Sequence, residues 1–312
     1  MKLSLVIPTI GRMDYLYNLL ESINNQEVFF DEILIFDNSV NQNIEIEGVY
    51  KNNIKVVRSG EQVKANESWS KAVENTKNDY VAIIGDDDLM LPNFCKKIKE
   101  KLISSDVVIA RATKIDADGR FLSDMTYPEK NLLKYQELYR HRLIGRCPLF
   151  VPGIAFSKDL FKLVGGFKDT GLEGYAFSDE LLVLSMAYVK DNIGITDEVC
   201  WQYRVHKGQL AGVKSIENLQ ESSVFFVDQF EEALEKLTSF SSVKYKSWYK
   251  SYKYLERVVN YRLTQYANFA SRNLGFYEFQ KNLFKEIFSK RIISLQGAMK
   301  IYYSATRTYL KR

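Results

Sequence analysis

Short blocks of hydrophobic and polar residues alternate along the first half of the chain and predict strands and helices in turn. Continuous apolar runs rich in branched side chains are typical of buried strands, and they occupy residues 3–9, 31–39, 54–60, 80–85 and 106–116. Apolar residues that recur every three or four positions predict helices over residues 13–26, 66–78 and 92–104, the last with Pro92 in its first position. This alternation predicts an α/β fold in which helices flank a mostly parallel sheet.

Polar residues end several of the predicted strands. Thr9 closes the first strand, Asp37 the second, and three consecutive aspartates, Asp86, Asp87 and Asp88, follow the fourth. Ligands of open α/β sheets bind at the carboxyl ends of the strands, so we expect these side chains to converge on one crevice. Adjacent carboxylates repel one another, but a divalent cation such as Mg²⁺ or Mn²⁺ neutralises them. The alternative is an exposed acidic turn that caps the following helix.

The pattern changes in the second half of the chain. Residues 118–146 are polar and contain turn residues, after which apolar character resumes and a helix is predicted over residues 177–190, with Ser178 as its N-cap. Beyond residue 215, long helical patterns rich in aromatic side chains take over. We therefore expect a first domain at residues 1–214 and a helical extension at residues 215–312.

Composition and charge narrow the classes of protein. Hydrophobic residues make up 46% of the 312 residues, which is enough for a sizeable core, and the net charge of +4 does not by itself indicate nucleic-acid binding. The three cysteines lie far apart, which favours a reducing compartment over a disulfide framework or a zinc site. The N-terminus lacks the pattern of a signal peptide, and no apolar window approaches 18 residues. We expect a soluble, cytoplasmic protein.

Two common nucleotide-binding signatures do not occur in the sequence. The chain has no GxxxxGK[ST] segment, which argues against a P-loop enzyme. The loop after the first predicted strand reads PTIGRMD, with one glycine, so a GxGxxG dinucleotide site is not expected there. No nucleic-acid-binding motif accompanies the basic residues either.

Five segments, taken in order, resemble the family-2 glycosyltransferases of the GT-A fold. They are LVIPTIGRMDYLYNLLESI, EILIFDNS, NDYVAIIGDDDLMLP, VGGF and SDELL, and the resemblance covers about residues 3–210. It implies inverting transfer of a sugar from a nucleotide diphosphate sugar, with a UDP-sugar favoured, to a hydroxyl of a saccharide or lipid-linked glycan acceptor. It also implies a role in bacterial surface polysaccharide synthesis and a Mn²⁺ or Mg²⁺ ion that bridges the diphosphate.

The resemblance assigns roles to individual residues. Those expected to contact the nucleotide sugar are Pro8, Thr9, Arg12, Asp37, Asn66, Asp86 and Asp88. The family pattern Asp-x-Asp-Asp has an acid where this chain has Gly85, and counting back from Pro92 places the metal ligand at Asp87 and the ribose or metal-shell position at Asp86. In the alternative register, Asp86 to Asp88 form the DxD motif and Asp88 is the metal ligand.

The resemblance also indicates a general base and a further metal ligand. Asp179 matches the acid that deprotonates the acceptor hydroxyl, with Glu180 as the fallback base. The structural alternative is that both are ordinary acids in the first turn of a helix. His206 matches a histidine that reaches the metal or the diphosphate, with Arg204 and Lys207 as phosphate partners, although a lone histidine is often structural.

The C-terminal segment and two rival functions complete the expectations. From Lys285 to the end there are seven basic residues and one acid, mixed with apolar and tyrosine side chains, as in interfacial helices. Contact with the inner face of the cell membrane, a cap on the core and a homo-oligomer interface are the alternatives for this segment. The rival functions are a nucleotidyltransferase of similar fold and a nucleotide-sugar-binding module that has lost catalysis.

Overall fold

The computed structural model of the protein describes residues 1–40, 44–46, 53–143, 146–169, 178–208, 275–289 and 295–310. The strands are β1 (Leu3–Thr9), β2 (Glu32–Asp37), β3 (Ile54–Arg58), β4 (Tyr80–Ile83), β5 (Leu89–Met90), β6 (Val107–Ile115), β7 (Phe121–Asp124), β8 (Leu132–Leu133), β9 (Ile154–Ser157) and β10 (Ile193–Arg204). The helices are α1 (Met13–Asn24), α2 (Ala65–Glu74), α3 (Phe94–Leu102), α4 (Tyr135–Leu143), α5 (Lys158–Leu163), α6 (Ser178–Lys190), α7 (Phe276–Ser289) and α8 (Leu295–Leu310).

The strands form one sheet in the order β3-β2-β1-β4-β9-β6-β10-β5, with β7 paired to β6 and β8 paired to β10. Parallel pairing joins β1 to β2 and β4, β2 to β3, and β6 to β10. β9 is antiparallel to both of its neighbours, β4 and β6, so those two strands share one direction. The principal strands therefore end at a common edge, which is the arrangement that the sequence pattern predicts.

Helices cover both faces of the sheet, and alternate residues of the central strands supply the two layers of core. Leu5 and Ile7 of β1 join one apolar cluster with the buried faces of α1 and α3. Val6, between them, joins a second cluster to which α2, α4, α5 and α6 contribute. Every residue of β2 is buried because both of its faces are covered, which explains why its sequence is continuously apolar rather than alternating.

Two predicted helix starts differ from the structure in detail. Helix α3 begins at Phe94, whose amide donates to Leu91 O at 3.1 Å, so Pro92 lies in the preceding turn and not in the first helical position. Helix α6 begins at Ser178, so Ser178 is the first helical residue and not the predicted N-cap, and its hydroxyl donates to Lys168 O at 2.8 Å. Ser178 thus ties the start of α6 to the preceding loop.

The described part of the C-terminal segment is helical, as predicted. Helices α7 and α8 pack on each other through the stacked rings of Phe279 and Tyr309, whose centroids lie 4.4 Å apart, and Gln280 Nε2 donates to Thr306 Oγ1 at 3.0 Å. The predicted domain boundary at residues 214 and 215 lies outside the described residues. None of the helices in the described ranges is both long enough and apolar enough to cross a membrane.

Candidate active site

The carboxyl edge of the parallel strands brings together the polar residues that end them. In the strand registers Thr9 lies opposite Asp37, and Asp37 lies opposite Arg58. The loop that follows β4, residues 84–88, is called the aspartate loop here. It carries the three aspartates to the same edge, where the Thr9 hydroxyl donates to Asp86 Oδ2 at 2.6 Å. A hydrogen bond therefore joins the ends of the first and fourth predicted strands.

Asp86 is a buried carboxylate paired with Arg12. Its side chain is 1% exposed, and it accepts hydrogen bonds from Arg12 Nη2 at Oδ1 and from Arg12 Nε at Oδ2, the latter at 3.3 Å. Burial raises the pKa of Asp86, and the Arg12 charge works against that rise. Arg12 belongs to the loop between β1 and α1, so the ion pair holds this loop against the aspartate loop.

Asp87 faces Arg12 and His206. Its Oδ2 lies 2.7 Å from Arg12 Nη1 and 2.8 Å from His206 Nε2. The Gly208 amide donates to His206 Nδ1 at 3.2 Å, so Nδ1 is an acceptor and the ring proton belongs on Nε2, from which it is donated to Asp87. Ligation of a cation by Nε2 would require this proton to move to Nδ1.

Asp88 is buried more deeply than Asp87, and its carboxylate forms a hydrogen bond with the end of β10. Its Oδ1 accepts from the Arg204 amide at 2.9 Å, whereas Oδ2 has no hydrogen-bond partner among the residues that the structure describes. Burial, followed by the neighbouring Asp87 charge, raises the pKa of Asp88 well above its usual range.

Gly85 leaves room for this arrangement. A Cβ atom at Gly85 would lie 2.8 Å from Asp88 Oδ2 and 2.9 Å from Asp87 Oδ1, closer than side-chain atoms pack. In this structure the position where the family pattern has an acid thus has no space for any side chain while Asp87 and Asp88 keep their places.

Arg204 joins the aspartate loop to the turn that follows β6 through hydrogen bonds. It is 3% exposed, and its guanidinium donates to Asp87 O at 2.6 Å, to Ala117 O at 2.8 Å and to Asp116 O at 3.3 Å. The guanidinium also lies over the Tyr15 ring, 4.9 Å from its centroid. The resemblance implies that Arg204 is a phosphate partner, whereas the hydrogen bonds that the structure records for its guanidinium go to backbone carbonyl groups. Nothing in the local sequence distinguishes these two roles.

The other residues assigned to the nucleotide sugar occupy the β1–β3 side of the edge. Asp37 is buried, accepts from the Ser39 amide at 2.9 Å, and has its Oδ2 3.9 Å from Arg58 Nε. Pro8 is the half-buried penultimate residue of β1. Asn66, in the first turn of α2, is buried, and its Oδ1 has no hydrogen-bond partner within the described ranges. Asp37 and Asn66 thus present polar groups that are costly to bury.

Asp179 and Glu180 start α6 and differ in their surroundings. Glu180 is buried and forms an ion pair with Arg142, a partner that the loosely patterned sequence around it did not reveal. Asp179 is half-buried, and its Oδ1 accepts from the Glu180 amide at 2.8 Å. Burial, together with the Glu180 charge, raises the pKa of Asp179 to about 7.

The connection of α6 to β10 indicates where Asp179 lies. Only residues 191 and 192 separate the two elements, so the chain reverses and α6 begins towards the edge at which β10 ends. Arg204, the last residue of β10, contacts the aspartate loop. The first turn of α6, which contains Asp179, therefore points towards the end of β10 that meets the aspartates, although α6 is shorter than β10 and the hydrogen bonds and ion pairs that the structure records for Asp179 do not reach them.

The chemistry of the donor set is compatible with a divalent cation. Within the described ranges, no group of three or more His, Cys, Asp or Glu side chains is arranged to hold a metal ion. Asp87 and His206 nevertheless place a carboxylate and an imidazole side by side, and Mg²⁺ or Mn²⁺ often takes few protein ligands when substrate phosphates supply the rest. These residues fit a cation that is shared with a diphosphate.

The fold and the site define a class of protein, an open α/β sheet with an acidic site at the carboxyl edge of its strands, and comparisons with solved structures agree with the fold. Residues 1–349 of S. aureus TarS in complex with UDP-GlcNAc superimpose with a TM-score of 0.63 at 16% identity, over 99% of this chain and 89% of that one. A structure of S. aureus TarS gives a TM-score of 0.52 at 17% identity, over 98% of this chain and 55% of that one. The GT-A fold prediction is confirmed.

The sequence comparisons identify the family. An uncharacterized glycosyltransferase of Haemophilus influenzae is 25% identical over 185 residues, which are 58% of this chain and 62% of that relative's length. Residues 4–164, just over half of the chain, match the family described as glycosyl transferase family 2. The chain belongs to this family, as the resemblance of its five segments predicts.

Proposed function

We propose that the protein transfers a sugar from a UDP-sugar to a hydroxyl of a saccharide or lipid-linked acceptor, with inversion at the anomeric carbon. The observation that carries this proposal is the division of the acids into two groups. Asp86 and Asp87 lie at a strand end where a diphosphate and its cation can bind, and Asp179 starts a separate helix with a pKa of about 7. The complex of S. aureus TarS with UDP-GlcNAc supports a UDP-linked donor.

Asp87 is the better candidate for metal ligand, and Asp88 the weaker one. The Asp87 carboxylate reaches His206 and the partly exposed Arg12, whereas Asp88 is buried and holds the β10 amide of Arg204. A bound Mn²⁺ or Mg²⁺ ion would neutralise the charge that develops on the departing diphosphate. The contact of His206 with Asp87 and the hydrogen bond from Thr9 to Asp86 position these two carboxylates.

Asp179 is proposed as the general base, in preference to Glu180. Its pKa near 7 leaves a substantial deprotonated fraction at neutral pH that is still basic enough to accept the proton of the acceptor hydroxyl. The oxygen of the acceptor hydroxyl then forms the new bond to the anomeric carbon, and the bond between this carbon and the diphosphate oxygen breaks, so that UDP leaves. Glu180 is held by Arg142, which makes it less available for proton transfer.

Release of UDP from a panel of nucleotide sugars, with and without acceptor and Mn²⁺, tests this proposal. We expect UDP release to fall at least 100-fold in Asp87→Asn and in Asp179→Asn. Asp159→Asn is the matched control, because Asp159 is an exposed acid in the first turn of α5. Release of pyrophosphate from a nucleoside triphosphate and a sugar 1-phosphate, undiminished in Asp179→Asn, would instead identify a nucleotidyltransferase. Tight UDP-sugar binding without turnover would identify a binding module.

We also propose that α8 contacts the inner face of the cell membrane. Met299, Tyr303 and Leu310 are exposed by 57%, 70% and 65%, their spacing places them along one stripe of the helix, and the exposed Arg307 lies one turn after Tyr303. Flotation with vesicles that contain anionic lipid should carry the protein, and Tyr303→Glu should abolish this. Equal recovery of both proteins in the floating fraction would contradict membrane contact through α8.

A further inference from the structure

Arg12 contacts both acids of the proposed donor site at once. Its Nε and Nη2 serve Asp86, and its Nη1 lies 2.7 Å from Asp87 Oδ2 and 3.4 Å from His206 Nε2. These are the same oxygen and nitrogen that the proposed cation would use. One guanidinium and one divalent cation cannot both approach this pair of atoms closely, because both are positively charged.

The burial of Asp86 explains why a counter-ion is needed before any ligand binds. Its carboxylate is 1% exposed, and an ionised carboxylate so far from water is costly unless it is paired. Arg12 provides that pairing, and its own pKa is raised by the two aspartates, so it stays charged at any working pH. The Thr9 hydroxyl supplies a further donor to the same carboxylate at 2.6 Å.

Arg12 is also more accessible to solvent than the two acids. Its side chain is 26% exposed, compared with 1% for Asp86 and 12% for Asp87. It is the residue before α1, its side chain does not cap that helix, and the contacts that the structure records for its guanidinium are those to the acids and to His206. A shift of the guanidinium towards solvent would uncover Asp87 Oδ2 while the carboxylates stay in place.

We propose that Arg12 is the resting counter-ion of Asp86 and Asp87, and that a divalent cation binds Asp87 only as the Arg12 guanidinium leaves it. This inference rests on the proposed function, since it assumes the cation site at Asp87. The displaced guanidinium remains at the mouth of the crevice, where its planar set of donors suits an oxygen pair of the donor diphosphate. Exchange of Arg12 for the cation then couples binding of the metal to binding of the donor.

The exchange is tested by titrating the full chain with Mn²⁺ in the absence of nucleotide. The electron paramagnetic resonance signal of free Mn²⁺ reports how much of the ion is bound. Arg12→Gln should bind Mn²⁺ at least tenfold more tightly than the wild type. Arg12→Lys should be intermediate, because one ammonium group cannot pair with both acids as the guanidinium does. Arg120→Gln is the control for loss of one positive charge, since Arg120 is 76% exposed in the β6–β7 turn, and we expect a change of less than twofold.

Two outcomes overturn the proposal and differ from each other. If Mn²⁺ binding is lost in Asp87→Asn but is no tighter in Arg12→Gln than in the wild type, the exchange is wrong and the metal site stands. If no variant binds Mn²⁺, even with UDP present, both the metal site and the exchange are wrong.

A second readout on the wild-type protein does not depend on the folding of Arg12→Gln. The Nε–H nuclear magnetic resonance signal of Arg12, identified by its loss in Arg12→Lys, should shift when Mg²⁺ is added. An unchanged signal at saturating Mg²⁺ would contradict displacement of the guanidinium.

Discussion

Adding one methyl group to Gly85 should disturb two carboxylates of the site at once. The Cβ of Gly85→Ala would lie 2.8 Å from Asp88 Oδ2 and 2.9 Å from Asp87 Oδ1. Non-bonded atoms pack at about 3.5 Å or more, so both oxygens must retreat by about half an ångström. Asp88 is held by the Arg204 amide and Asp87 by His206, so these hydrogen bonds are strained or lost as the carboxylates move.

The magnitude follows from these two effects. Overpacking of a close contact costs about 1–3 kcal/mol, and weakening one of the hydrogen bonds adds about 1 kcal/mol, so the free energy of unfolding should fall by about 2–4 kcal/mol. Urea unfolding measures this loss, and UDP release should fall more than tenfold because Asp87 is displaced. Gly85→Asp, which restores the acid of the family pattern, should be worse than Gly85→Ala in both assays.

Gly275→Ala is the control, because no heavy atom of the described residues lies within 4 Å of a Cβ built there. It should leave UDP release at the wild-type value and change the free energy of unfolding by less than about 1 kcal/mol, since Gly275 directly precedes α7. A Gly85→Ala protein with wild-type stability and activity would refute the packing described for Asp87 and Asp88.

Three further predictions concern the general base, a buried ion pair and a close contact in the core. Because the pKa of Asp179 is raised to about 7, the fraction of deprotonated base should increase with pH through about 7. The rate of UDP release should increase with it and level off at higher pH. Asp179→Asn should lose this rise, and an unchanged pH profile in this variant would contradict the role of Asp179 as the base. Arg142→Gln should lower the free energy of unfolding by about 3–5 kcal/mol because it leaves Glu180 buried without this partner, and adding Glu180→Gln should restore part of the loss; equal losses in the single and double variants would argue against the pair. Gly153→Ala should destabilise the protein by about 2–4 kcal/mol in urea unfolding, because its Cβ would lie 2.4 Å from the Trp201 ring and the Gly153 φ is +79°; wild-type stability would contradict this contact.

Most of the strands that the sequence predicts are those whose burial shows in continuous apolar runs. β3 is the exception, because it is predicted as a buried strand but its five residues are half-buried or exposed. β1, β2 and β4 lie in the middle of the sheet with helices on both faces, so their patterns are simple. β9 has only four residues, too few for a pattern of its own. β10 was missed for another reason: its register shifts between Ile195 and Val199, and exposed Asp197 and Glu198 interrupt the run there.

The candidate site divides in the same way. Sequence position suffices to place Thr9 and the aspartates at strand ends, because parallel topology brings those ends together. The contacts of Arg12, Arg204 and His206 with the three aspartates join residues that are between 74 and 119 positions apart, and local patterns carry no information on such pairs. The roles of Arg142 and Gly85 likewise become visible only when side chains from distant segments are packed together.

Binding of UDP to the wild-type protein and to Asp87→Asn, measured by isothermal titration calorimetry in Mn²⁺ and again in EDTA, tests most directly whether the aspartate edge holds a cation for the donor diphosphate. We expect Mn²⁺ to tighten UDP binding to the wild type at least tenfold and to leave the affinity of Asp87→Asn for UDP unchanged. Equal affinities of the wild type in Mn²⁺ and EDTA, or the same Mn²⁺ effect in Asp87→Asn, would contradict this expectation.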